Sequence, residues 1–238
     1  WQCFSKCGGG GFRDLTEKRQ DAGYGAGVPD HWTGTEKKVP VLRSWLERGF
    51  TRVMLEKWGI VWDATVGAMR LPVYDDDGEP VASIYRAPRG EEPKYRYERG
   101  FSRAKTLYGL WRLPQPLNQI TLVEGPLDAV WAQEIGSAAV AVLGSSLAGS
   151  QADLLRSRGV HRVWLCFDND DAGRQATLQA TKLLRDGGFW VFRVILPSKY
   201  KDVQGVPHAE LGRVLAHAEL CVNGSGIVNK RFQRWEKK

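Results

Sequence analysis

The residues of this 238-residue chain that could do chemistry are acidic and fall in three short groups. Glu124-Gly125 is followed by Asp128, Asp168-Asn169-Asp170-Asp171 by Ala172-Gly173-Arg174, and Lys201 by Asp202. Carboxylates gathered in one place repel each other unless cations neutralise them. Hard divalent ions with oxygen ligands, Mg2+ or Mn2+, are the natural counter-charge. Asp168 and Asp170 are two apart, so in an extended or turn segment both face one side. Two such ions could activate a nucleophile and hold a triphosphate. Asp170 or Asp171 would also cap a following helix. Capping alone leaves Glu124-Gly125 without an explanation.

The elements around these groups place them together. Ile120–Val123, Ala138–Leu143, Val163–Phe167 and Trp190–Leu196 read as short buried strands. Leu127–Ile135, Ser150–Arg158, Asp171–Arg185 and His208–Ala218 read as the helices between and after them. Strands alternating with helices predict a parallel α/β sheet. In such sheets ligands bind at the carboxyl ends of the strands, where each acidic group lies. Upstream, residues 41–58 have helical spacing broken at Gly49. Residues 69–87 predict a β-hairpin around an Asp-Gly turn. The fold class is therefore α/β: a Rossmann-like parallel sheet preceded by a smaller mixed α/β subdomain. The expected divisions are 1–40, 41–118, 119–222 and a basic tail over 223–238.

Charge points to polyanion partners. The chain holds 34 basic and 27 acidic residues, a net charge of +7. Arg86, Arg89, Lys94, Arg96, Arg99, Arg103, Lys105 and Arg112 crowd one stretch, with Tyr95, Tyr97, Phe101 and Tyr108 interleaved. Basic residues with aromatics between them suit a surface that tracks phosphates and stacks bases, although a solvated charged face has the same composition. No apolar run approaches the roughly 20 residues of a membrane helix. The N-terminus carries no secretory signal, and four cysteines cannot staple a chain this long. A reducing cytoplasm is the expected setting, with no membrane partner. No Gly-x4-Gly-Lys-Ser/Thr phosphate loop is present, which excludes a helicase ATPase within this sequence.

Leu122-Val123-Glu124-Gly125-Pro126-Leu127-Asp128, Val142-Leu143-Gly144 and Cys166-Phe167-Asp168-Asn169-Asp170-Asp171-Ala172-Gly173-Arg174 together resemble a Toprim domain over residues 119–205. This is the metal-binding module of DnaG-type primases, topoisomerases, some nucleases and recombination mediators. Upstream, Arg70-Leu71-Pro72-Val73-Tyr74-Asp75, Arg86, Pro93-Lys94-Tyr95 and Lys105-Thr106-Leu107-Tyr108-Gly109-Leu110 are similar to the first half of a primase RNA-polymerase core. Topoisomerases and recombination mediators lack that block.

The resemblance implies template-directed synthesis of short RNA primers from NTPs on single-stranded DNA, with a replicative helicase as partner. It implies Glu124, Asp168 and Asp170 as catalytic residues. Glu124, Asp128, Asp168, Asp170 and Asp202 would be the Mg2+ or Mn2+ ligands, and Arg70, Arg86, Lys94 and Lys105 the nucleotide and template contacts. The alternatives are a Toprim nuclease and a non-catalytic nucleic-acid-binding module.

Gln204 stands where bacterial replicative primases usually have a second Asp, and phage primase–helicases often have one Asp there. That departure leans towards a phage or mobile-element protein. Trp1-Gln2-Cys3-Phe4-Ser5-Lys6-Cys7-Gly8 resembles the end of a primase zinc ribbon. Cys3 and Cys7 supply two of the four ligands that zinc needs. The chain begins at Trp1 and reads as a fragment or processed chain. Cys166 reads as a core thiol, and so does Cys221, in the region of the last helix.

If the basic run binds single-stranded DNA through phosphates, binding weakens steeply with salt. Neutralising Arg96, Arg99 and Arg103 together should flatten the slope of log K against log salt by up to about two units. Fluorescence anisotropy at several salt concentrations measures this; an unchanged slope identifies a solvated face.

Overall fold

The computed structural model describes residues 40–75 and 77–221. The cysteine pair Cys3 and Cys7, the glycine-rich linker, Asp76 and the basic tail lie outside the described residues.

Two short helices open the described chain, α1 (Pro40–Glu47) and α2 (Arg52–Lys57). Gly49 lies between them at φ +95, a left-handed conformation that favours glycine and ends the first helix. Thr51 starts the second, its hydroxyl accepting from the Met54 amide at 3.1 Å. A four-stranded sheet follows in the order β1 (Val61–Asp63), β2 (Ala68–Tyr74), β3 (Pro80–Arg86), β4 (Tyr95–Tyr97). The turn between β2 and β3 is the expected Asp-Gly turn. The Asp75 carboxylate accepts from the Asp77 and Glu79 amides at 3.0 and 2.9 Å, and Gly78 adopts φ +87.

The second sheet has the order β6-β5-β7-β8-β9. Its strands are β5 (Gln119–Val123), β6 (Ala139–Ala141), β7 (Arg162–Leu165), β8 (Trp190–Val194) and β9 (Ala218–Leu220). The first four pair in parallel, as the alternation predicts. Between and after them run α3 (Pro126–Glu134), α4 (Gly149–Ser157), α5 (Asp171–Asp186) and α6 (His208–Ala216). One face of the sheet buries Ile120, Leu122, Val163, Leu165 and Val191 with Leu155 of α4 and Ala176, Ala180 and Leu184 of α5.

The sheet's last strand differs from the sequence expectation. The last helix stops at Ala216, and Ala218–Leu220 pairs antiparallel with β8. His217 adopts φ −92 and ψ 87, outside the helical region, and the strand gains the open edge of β8 as its partner. Cys221 therefore follows a strand, its amide bonded to the Val191 carbonyl at 2.9 Å. The short strands β1, β4 and β9 give no alternation long enough to read. Cys166 is buried, as expected of a core thiol, and burial raises its pKa.

The described residues divide into two compact units, 40–72 with 82–98, and 73–81 with 99–221. Residues 99–118 fold with the parallel sheet. Tyr108 and Ala141 exchange backbone hydrogen bonds at 2.9 and 3.0 Å, and the Trp111 ring meets Tyr108 edge-on at 4.9 Å. No helix among the described residues is long and apolar enough to cross a membrane.

Leu122 is fully buried at the centre of the parallel sheet, whereas Val53 is 60% exposed. Leu122→Ala should cost about 2–5 kcal/mol in urea unfolding, through lost burial and a cavity. Val53→Ala should cost less than about 0.5 kcal/mol.

Candidate functional site

The carboxyl ends of β5 and β7 lie side by side, because Leu122 and Leu165 are register partners. Glu124 follows β5 directly, and Asp168 stands three residues beyond β7. The Glu124 carboxylate accepts from the Asp168 amide at 2.9 Å, which ties the two acidic groups together across the strand ends. Gly125 caps α3, and a Cβ there would lie 2.7 Å from an Asp128 carboxylate oxygen. Asp128 is buried on the first turn of α3, and its Oδ1 accepts from the Gln204 amide at 2.9 Å.

Asp170 is the N-cap of α5 and accepts from the Gly173 amide at 3.0 Å. Its second oxygen lies 3.5 Å from Lys201 Nζ. Gly173 is required by a close approach: a Cβ on it would stand 2.0 Å from the Asp168 carbonyl oxygen. Asp202 accepts from the Gly205 amide at 2.7 Å, and the Asn169 amide bonds the Lys201 carbonyl at 2.6 Å. The third acidic group is thereby attached to the second.

The electrostatics follow from this crowding. Burial first, then the charges of Glu124, Asp128, Asp202 and Asp170, push the Asp168 carboxyl up to about 7. Asp170 moves the other way, lowered chiefly by its bond from the Gly173 amide and helped by Lys201. All five expected acidic residues thus belong to one electrostatic neighbourhood, although no three Asp, Glu, His or Cys side chains among the described residues are gathered into a set that could hold a metal ion. The donor chemistry still fits a hard divalent cation. Every candidate donor is a carboxylate oxygen, and burial and neighbouring charge make an ionised Asp168 costly.

The expected basic contacts divide between the two units. Arg70 is exposed on β2 of the first unit. In that unit Arg86, lowered by burial, donates to the Lys94 carbonyl at 3.1 Å and lies 4.9 Å from the centre of the Tyr95 ring. Lys94 is exposed beside the same ring at 5.8 Å. Lys105 belongs to the second unit and is exposed in the turn Arg103–Lys105.

The sequence names Arg103 in the basic run and Lys201 beside Asp202, but not the contacts they make at the site. Arg103 donates to the Leu143 carbonyl at 3.4 Å, and the Leu143 amide bonds the Glu124 carbonyl at 3.1 Å. Lys201, the partner of Asp170, sits one residue before Asp202 and reads in sequence as part of an acidic element. Cys3 and Cys7 lie outside the described residues.

The fold is that of solved primase cores. The structure of the zinc-binding and RNA polymerase domains of the Aquifex aeolicus primase superposes with a TM-score of 0.67 at 21% identity, covering 89% of this chain and 62% of that one. The DnaG primase catalytic domain bound to ssDNA superposes with a TM-score of 0.63 at 21% identity, covering 88% of this chain and 80% of that one. In sequence, the chain is 38% identical over 157 residues to the DNA primase of Thermotoga maritima, 63% of this chain and 27% of that protein. Residues 121–206 match the Toprim-like family. Residues 121–206 therefore form a Toprim-like domain. The chain spans about a quarter of the length of the Thermotoga maritima relative.

The Toprim acidic cluster makes metal-free stability depend on pH. The Asp168 carboxyl, pushed up to about 7, keeps its proton in the folded state over a range where the unfolded chain has lost it. Its contribution is full below about pH 4 and is lost as pH rises through about 7. Asp168→Asn should therefore unfold at higher urea than the parent at about pH 8 in chelator, by about 1–2 kcal/mol once solvent screening is allowed for. The gap should close towards about pH 4.

Proposed function

We propose that this chain is the catalytic core of a DNA primase, making short RNA primers from NTPs on a single-stranded DNA template. The observation that carries the reading is the gathering of Glu124, Asp128, Asp168, Asp170 and Asp202 at one sheet edge, where burial and then the other four charges raise the Asp168 carboxyl to about 7. Such a site is costly unless it binds cations. The sequence similarity to DNA primases, outside as well as within the Toprim-like residues, favours priming over hydrolysis.

Glu124, Asp168 and Asp170 would hold Mg2+ or Mn2+, with Asp128 and Asp202 behind them. Bound there, the ions supply charge neutralisation for the triphosphate and activation of the attacking hydroxyl. The chain's own residues orient that site. The Asp168 amide holds Glu124, and the Gly173 amide holds Asp170 at the helix N-terminus. In this reading Glu124 is the group to which the primer 3′-hydroxyl gives its proton as it attacks the NTP α-phosphate. Pyrophosphate leaves, and Arg70, Arg86, Lys94 and Lys105 would be the nucleotide and template contacts. A replicative helicase would be the cellular partner, and a phage or mobile element the source.

The test is primer synthesis from labelled NTPs on single-stranded DNA, with and without magnesium. Asp168→Ala and Asp170→Ala should each lower synthesis at least about 100-fold, the loss of a few kcal/mol of transition-state stabilisation. Circular dichroism should show both variants folded. Near-parental priming by either folded variant rules out the assignment, and template cutting without primers identifies a nuclease instead.

A further inference from the structure

Gln151 has an environment that neither the acidic cluster nor the expected basic contacts explain. It is 1% exposed in the first turn of α4. Its carbonyl oxygen accepts from the Ala148 amide at 2.9 Å, an ordinary way for a side chain at this position to satisfy a helix N-terminus. The other end of the carboxamide is not ordinary. Nε2 faces three backbone carbonyls, those of Arg103 at 3.0 Å, Thr106 at 2.7 Å and Val142 at 2.9 Å. Two N–H groups serve three acceptors that come from two separate segments, so this one side chain joins the 103–106 turn to the end of β6.

The joined segments both bear on the site. Val142 precedes Leu143, which takes φ +62 and whose amide bonds the Glu124 carbonyl. Arg103 returns to the same residue through its guanidinium. The neighbouring Ser150 hydroxyl donates to the Ala104 carbonyl, a second fastening of the same turn. The 103–106 turn carries both Arg103 and Lys105, and it has no regular strand or long helix to hold it.

We propose that Gln151 is a positioning residue for nucleotide binding: its carboxamide fixes the turn bearing Arg103 and Lys105 against the end of β6, where the next residue, Leu143, bonds the Glu124 carbonyl. The inference rests on the primase reading for its substrate, an NTP whose triphosphate these two cations would meet. Few other side chains could take this place. A carboxylate would set negative charge against three carbonyl oxygens, an asparagine falls one methylene short, and a methionine of similar length has no N–H to donate. Loss of the carboxamide leaves the acidic cluster intact and lets the cationic turn move. The defect should therefore appear in nucleotide affinity and not in the chemical step or in metal dependence.

The experiment compares the full chain with Q151M and Q151N. It measures NTP KM and kcat in priming, the Mn2+ concentration for half-maximal activity, and direct binding of a fluorescent ATP analogue. Q151M should raise KM by about tenfold with kcat within about twofold. Analogue binding should weaken in parallel, and the manganese requirement should be unchanged. Q151N, which keeps a shorter carboxamide, should fall between. An unchanged KM in a folded variant overturns the inference, as does a fall in kcat at constant KM. Failure of both variants to fold also overturns it, since the role would then be structural only. A parent that binds the analogue but makes no primers refutes the primase reading; weaker analogue binding by Q151M would still uphold Gln151 as a positioning residue for nucleotide.

Discussion

Repulsion between like charges at the carboxyl ends of β5 and β7 shapes everything around it. Burial first, and then the charges of Glu124, Asp128, Asp202 and Asp170, raise the Asp168 carboxyl to about 7. A fold keeps such a group only if other bonds fix each carboxylate in place. Here backbone amides do so for four of the five: Asp168 N for Glu124, Gln204 N for Asp128, Gly173 N for Asp170 and Gly205 N for Asp202. Amide dipoles stabilise negative charge without contributing a full positive one. Lys201 adds a full positive charge, 3.5 Å from Asp170.

The loops at this sheet edge follow from the same constraint. Asp168 can sit beside Glu124 only because α5 begins tight against its backbone, which excludes a Cβ at position 173. The 197–206 loop is brought in by the Asn169 amide on Lys201 and by the Gln204 amide on Asp128. The Trp131 indole secures it from behind with a 2.8 Å bond to the Val206 carbonyl. Gln151 repeats the device on the other flank, where a buried carboxamide and not a charge holds the cationic turn. The acidic and basic parts of this unit are thus fastened by separate bonds.

Much of this was legible in the sequence. Buried strands ending in acidic residues, each followed by a helix, placed the carboxylates at one edge, because parallel connections leave the strand ends no other arrangement. Asp170 was legible both as a cap and as a member of the cluster, and it is both. Position alone could not show Lys201 as the partner of Asp170, since that contact joins loops 31 residues apart. Gln151 was hidden for a similar reason: two of its partners lie 45–48 residues upstream, in a turn with no periodic pattern. The edge strand β9 escaped because three residues carry no alternation, and pairing with β8 overrode a helical reading that ran to Ala218. The basic residues Arg70, Arg86 and Lys94 were visible as charges, but their local partners, such as the Tyr95 ring, depend on the pairing of β3 with β4.

Under the proposed function, the acidic cluster binds a divalent cation. The most direct test is the titration of the Asp168 carboxyl by carbon-13 NMR, in chelator and then in magnesium. The account predicts a midpoint of about 7 without metal and a fall to the ordinary carboxylate range, near about 4, when magnesium is added. A metal-free midpoint already near about 4, unmoved by magnesium, would contradict it.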